Sequence, residues 1–206
     1  MSRMKRTIMI LFLFMMVTTA MAQDDKEVQH HQFKKENLFA GGSLTASFFS
    51  GTTVLGVSPY FGYSLNKYVD VAAAFNFNYT SQRDYFEYGD KARQTVYGAG
   101  SFVRLFPVNF LFAQAQYEHN FIKVKYLPAS NGTYAPYTKN VDANSFLVGA
   151  GYTNGRDQDS HSYFYFSILW DIAGVAQSPY VDGLGRSFPV IRAGYNIGLF
   201  QGRRGR

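Results

Sequence analysis

Five charged residues, Asp70, Arg104, Glu118, Asp171 and Arg192, fall inside segments in which apolar and polar residues alternate. A lone charge in a protein interior is very costly, so such groups pair when they are buried. The chemistry open to them is structural ion pairing or passage of an ion along a polar interior, and we read them as structural. His119 lies in a segment of the same kind. Hydrolytic use of it would need a nucleophile within hydrogen-bond reach and an acid to orient the ring. Thr95 or Ser101 could be offered by a neighbouring strand, but no spacing singles out either hydroxyl. His30 and His31 with Asp24 and Asp25 form a weak metal motif of adjacent ligands. Cysteine is absent, which excludes disulfides, thiolate nucleophiles and cysteine-ligated metals. No catalytic, cofactor or metal site is predicted.

The elements that must position these residues are strands. Side chains of a strand alternate between two faces. In 190–200, Ile191, Ala193, Tyr195, Ile197 and Leu199 share one face, while Arg192, Gly194, Asn196 and Gly198 share the other. Seven more runs read the same way: 37–49, 55–65, 69–79, 94–105, 109–124, 144–152 and 162–172. Pro59 predicts a locally bent or bulged pairing in the second run.

The phase of the polar residues decides what kind of sheet this is. Asp70, Asn76, Asn78, Arg104, Gln114, Gln116, Glu118, Asp171, Arg192 and Asn196 all share phase with glycines, and the opposite phase is almost uninterrupted apolar or aromatic. A soluble barrel, the alternative, would bury its apolar face. A polar interior with an apolar exterior is the pattern of a membrane barrel. We therefore expect an all-β fold, an eight-stranded antiparallel up-and-down transmembrane β-barrel. Aromatic girdles are expected from Phe48, Tyr79, Tyr97, Phe121 and Trp170 at one interface, and from Tyr63, Tyr152 and Phe200 at the other.

Residues 1–22 read as a signal peptide: Arg3, Lys5 and Arg6 precede an apolar stretch at 8–17 and the Ala20-Met21-Ala22 cleavage pattern. That stretch is too short for a spanning helix, which needs about 20 residues. Residues 23–36 read as a polar tether, 37–200 as the barrel and 201–206 as a basic tail. Without the signal peptide the formal charge falls from +6 to +3, which argues against a nucleic-acid partner. The longer connections, 80–93, 125–143 and 173–187, are where a surface ligand or protein would bind.

The chain resembles the small eight-stranded outer-membrane β-barrel proteins of Gram-negative bacteria, of the OmpA-barrel and OmpX type. The run Arg192-Ala193-Gly194-Tyr195-Asn196-Ile197-Gly198-Leu199 with Phe200 fits their C-terminal assembly signal. The resemblance makes Arg192, Gly194, Ile197, Leu199 and Phe200 candidates for reading by the barrel-assembly machinery. It also implies an outer-membrane location with both termini periplasmic, and contact with outer-membrane lipids and lipopolysaccharide. A narrow lumen filled by side chains should then hold two clusters, Asp70 with Arg104 and Arg192 with Glu118 or Asp171. The function expected is non-enzymatic, structural or surface-interacting; a narrow channel for small solutes and a lipid A-modifying enzyme using His119 are the alternatives.

Overall fold

The computed structural model describes residues 33–49, 51–154, 156, 162–182 and 185–201. The compact unit Lys34–Arg206 contains a short 3-10 turn, Lys35–Asn37, and eight strands. These are β1 Leu38–Phe49, β2 Thr52–Asn66, β3 Val69–Arg83, β4 Lys91–Val108, β5 Leu111–Leu127, β6 Tyr137–Thr153, β7 Tyr163–Asp171 and β8 Val190–Gly198. Each strand pairs antiparallel with the next, and β8 closes on β1, where Thr45 faces Arg192. Closure leaves no sheet edge, as lipid requires of a spanning sheet.

Burial follows the predicted phase. Along β3 the even positions Asp70, Ala72, Ala74, Asn76 and Asn78 are buried, while Phe75, Phe77 and Tyr79 are exposed. The same alternation runs through β5, where Phe112, Gln114, Gln116, Glu118 and Asn120 all point in. The inner half of the lumen is filled by aromatic rings: Phe39, Tyr60, Phe102, Phe106, Phe112, Tyr163 and Tyr165. Glycine in the facing wall makes room for them, since a Cβ at Gly62 would collide with the Phe39 ring and one at Gly194 with the Tyr165 ring. Overpacking of this kind typically costs about 1–3 kcal/mol. Gly62→Val is therefore expected to lower the urea midpoint of the refolded barrel accordingly.

Three expectations are corrected. Strands β3 to β6 run well past the predicted ends, so the connections they leave are 84–90 and 128–136, not 80–93 and 125–143. Their lengths of 15, 18, 17 and 17 residues exceed the 9 of β7 and of β8, so the wall is tall on one side. At Pro59 the ladder to β3 passes from Val57↔Phe77 to Tyr60↔Ala74 in unchanged register, an interruption without a shift. The one register irregularity on that seam lies between Ser64 and Asn66. Finally, β8 ends at Gly198, and Phe200, outside the strand, takes a positive φ of 55°. The signal peptide, residues 24, 25, 30 and 31, and 202–206 lie outside the described residues.

Candidate functional site

Two regions gather polar chemistry, the lumen and the outer rim. In the lumen, side chains on alternate positions of β5 form a directional ladder. Arg104 Nε donates to Gln114 Oε1, Gln114 Nε2 to Gln116 Oε1, and Gln116 Nε2 to Glu118 Oε1, each at 2.8 Å. The amides thus lie head to tail between a cation and a carboxylate. Glu118 also accepts from Asn120 Nδ2 (3.2 Å), Tyr180 Oη (2.7 Å) and Arg192 NH2 (2.9 Å). Arg192 is bonded in addition to Gln116 Oε1 through NH1 at 2.8 Å.

Of the two predicted clusters, Arg192 meets Glu118, one of its two candidate partners, while Asp70 and Arg104 do not pair. Arg192 pairs with Glu118 and not with Asp171. Arg192 faces Ser167 across the β7–β8 seam, four residues below Asp171, which is about 13 Å along a strand. Asp171 instead accepts from the Phe146 amide (2.9 Å), the Ala173 amide (3.0 Å) and the Ser178 hydroxyl, fastening the 172–189 connection. Asp70 and Arg104 stand opposite each other in the β3–β4 register, yet they form no ion pair. Arg104 turns into the aromatic cluster, its Cζ 4.1–5.3 Å from the ring centroids of Tyr60, Phe102, Phe112 and Tyr165.

The partner of Asp70 is Arg156, at 2.6 Å. Arg156 comes from the irregular connection between β6 and β7, where periodicity gives no signal. Its NH1 donates to Lys67 O (2.6 Å), its NH2 to Asn66 O (3.1 Å), and its Cζ lies 4.3 Å from the Phe106 ring centroid. One guanidinium therefore ties the β2–β3 turn across the inner mouth. At the other end Tyr180 reaches into the lumen from the 172–189 connection and packs with Leu147, Leu169 and Val190. One side chain from each of these connections is thus keyed into the lumen, Arg156 at one end and Tyr180 toward the other.

The outer rim is built by the tall hairpins. Asp90 organises the 84–90 loop, accepting from the amides of Tyr85 (2.5 Å), Phe86 (2.9 Å) and Glu87 (2.9 Å) and from the Tyr126 hydroxyl (2.8 Å). Burial pushes its carboxyl up, but those hydrogen bonds outweigh it and hold the group below the ordinary 3.8. Loop order contributed by Asp90 is thus complete above that ordinary value and is lost as pH falls through the lowered one. Relative to the intrinsic exchange rate at each pH, protection of the 85–87 amides should fall in acid below about pH 3.8, and in Asp90→Asn at neutral pH. Phe86 packs against Tyr126 and Tyr134, and the Thr133 amide donates to Glu87 at 3.0 Å, so 84–90 and 128–136 form one aromatic-rich tip. An open cleft of about 210 Å³ lies beneath it, lined by Gln94, Tyr137 and Lys139 among others.

His119 faces outward, with Nδ1 2.8 Å from Asn144 Oδ1 and its ring edge-on to Phe121. It stands across from Ala99, whereas Ser101 is opposite Tyr117 and Thr95 opposite Lys123. No group of metal-ligating side chains occurs among the described residues. In the candidate assembly signal, Arg192 and Gly194 point into the lumen while Ile197 is exposed; Leu199 is half-buried, its amide bonded to Leu38 O at 2.8 Å, and Phe200 is exposed.

No family model matches the chain, and no curated protein does. Among solved structures it is similar to Ail, the attachment invasion locus protein of Yersinia pestis, solved alone and with the heparin analogue sucrose octasulfate. Identity is 9%, covering 78% of this chain and 96% of that one, with TM-scores of 0.44 and 0.45 respectively. The chain is an all-β, eight-stranded antiparallel up-and-down barrel, with buried polar and aromatic side chains filling its lumen and large apolar ones exposed on its outer face.

Proposed function

We propose that the protein is a non-enzymatic integral outer-membrane barrel with a structural or surface-interaction role. The observation that carries this is the pairing of an exposed apolar wall with a lumen filled by buried polar and aromatic side chains, Arg156 and Tyr180 among them. An apolar band of this extent is unfavourable in water and favourable in a bilayer. A lumen filled by side chains leaves the outer surface as the place for interaction. The tall hairpins, with Tyr88 almost fully exposed at their tip, would present residues 84–90 and 128–136 to a surface ligand or protein. In this reading residues 1–22 are removed on export and both termini are periplasmic. Arg192, Gly194, Ile197, Leu199 and Phe200 would be read during assembly.

Membrane fractionation tests location: the protein should co-sediment with outer membranes and show a heat-modifiable gel shift. Recovery in the soluble fraction without detergent would overturn the reading. In a planar bilayer we expect no stable single-channel level, and a reproducible one would favour a solute channel instead.

A further inference from the structure

We infer that the cleft between the tall hairpins and the 172–189 connection binds a small carboxylic acid with an apolar body. The inference deepens the surface-interaction reading and rests on it. Three cross-strand rows of inward residues on β4, β5 and β6 build the wall, and each row lies about 7 Å above the last. The lowest row is Val96, Ile122 and Val141. Val96 and Ile122 are buried with Ala143, and Val175 of the 172–189 connection packs against them, so the floor is apolar. The middle row is Gln94, Val124 and Lys139. The uppermost is Ala92, Tyr126 and Tyr137, with the two rings stacked at 5.4 Å.

The charge in this cleft is unbalanced. Asp182, a carboxylate of its lining, is held by the Arg186 guanidinium at 2.8 and 2.9 Å. Lys139 has no ion pair among the described residues, and neither it nor Gln94 has a side-chain hydrogen bond among them. These two stand on strands either side of β5, about 10 Å apart at the backbone. With Val124 between them, an ammonium and an amide N–H can close on the two oxygens of one carboxylate. The floor and the Tyr137 ring then receive an apolar body. A neutral polyol would leave Lys139 unmatched, and a bare phosphate or sulfate would leave the floor unmatched. Size sets the scale: a cavity of about 150 Å³ holds benzene, so about 210 Å³ holds a benzene-sized body with its carboxylate. Gln94 and Val124 lie three residues beyond the outward Tyr97 and Phe121, about 7.5 Å further from lipid on a strand tilted by about 40°. The acid therefore arrives from water.

The test is an amide-shift titration of the isotope-labelled, refolded barrel in phosphatidylcholine nanodiscs, with phenylacetate as the probe. We expect saturable shifts at Gln94, Val124 and Lys139, with a Kd of about 1 mM or tighter. Phenylacetamide keeps the body without the charge. It should bind about threefold to fivefold more weakly, the worth of an exposed charge contact. Acetate, which lacks the body, should bind at least about tenfold more weakly. Lys139→Gln should make the acid and the amide equal, while Lys123→Gln, outward on β5, should keep their difference. Equal wild-type affinity for phenylacetate and phenylacetamide would overturn the proposal without any variant. So would shifts confined to lipid-facing residues. If Lys139→Gln loses its heat-modifiable fold, Gln94→Leu serves, with unchanged phenylacetate affinity counting against the site. Failure of the wild type to enter nanodiscs would instead overturn the outer-membrane reading, and the same titration in detergent micelles would still decide the cleft.

Discussion

Replacing Glu118 with leucine should destabilise the barrel by about 3–5 kcal/mol, the cost of stranding a buried charge. Arg192 is 3% exposed and would keep only Gln116 Oε1 at 2.8 Å and a long contact to Tyr180 Oη at 3.5 Å. The reverse deletion, Arg192→Met, should cost less. Glu118 would still accept from Gln116, Asn120 and Tyr180, three donors already in place. The double variant Glu118→Leu/Arg192→Met should recover much of the loss, because a well-packed apolar pair often equals a buried ionic one. Urea unfolding in detergent micelles measures all three. Equal costs for the two single variants would show that the ladder does not distribute the charge of Glu118.

The second large effect is expected at the inner mouth. Arg156→Met leaves Asp70, 1% exposed, with the Tyr163 hydroxyl at 3.3 Å as its remaining side-chain partner. A loss of about 3–5 kcal/mol is again expected. It should be largely reversed by adding Asp70→Asn, which removes the stranded charge. Arg156→Met also frees the carbonyls of Asn66 and Lys67, so amide exchange should rise in the β2–β3 turn. A destabilisation that Asp70→Asn does not relieve would assign the role of Arg156 to its packing on Phe106 instead.

The two predictions differ in how far they could be read from sequence. Glu118 and Arg192 belong to alternating runs, so their inward phase follows from period two, and antiparallel order places both in the same lumen. Their distance along the strands does not follow, because register depends on the turns, and Asp171 therefore stayed an equal candidate. Arg104 shows a different limit. Its position opposite Asp70 was legible, but a guanidinium on a long stem can leave a facing carboxylate for four aromatic rings. Arg156 sits in an irregular connection, where no periodicity marks a residue as buried. The one hint was a connection longer than a tight turn needs. Lys139 falls in 125–143, which reads as a connection, so its inward phase emerged only with β6 starting at Tyr137.

The pairing of Glu118 with Arg192 also orders events in time. Glu118 lies on β5, whereas its counter-charge arrives on β8, the last strand to be synthesised, across the seam that closes on β1. Until β8 is in place, the carboxylate has amide and hydroxyl donors but no cation beside it. Pairing Glu118 and completing the wall therefore both fall to β8. The final strand delivers a charge as well as an edge.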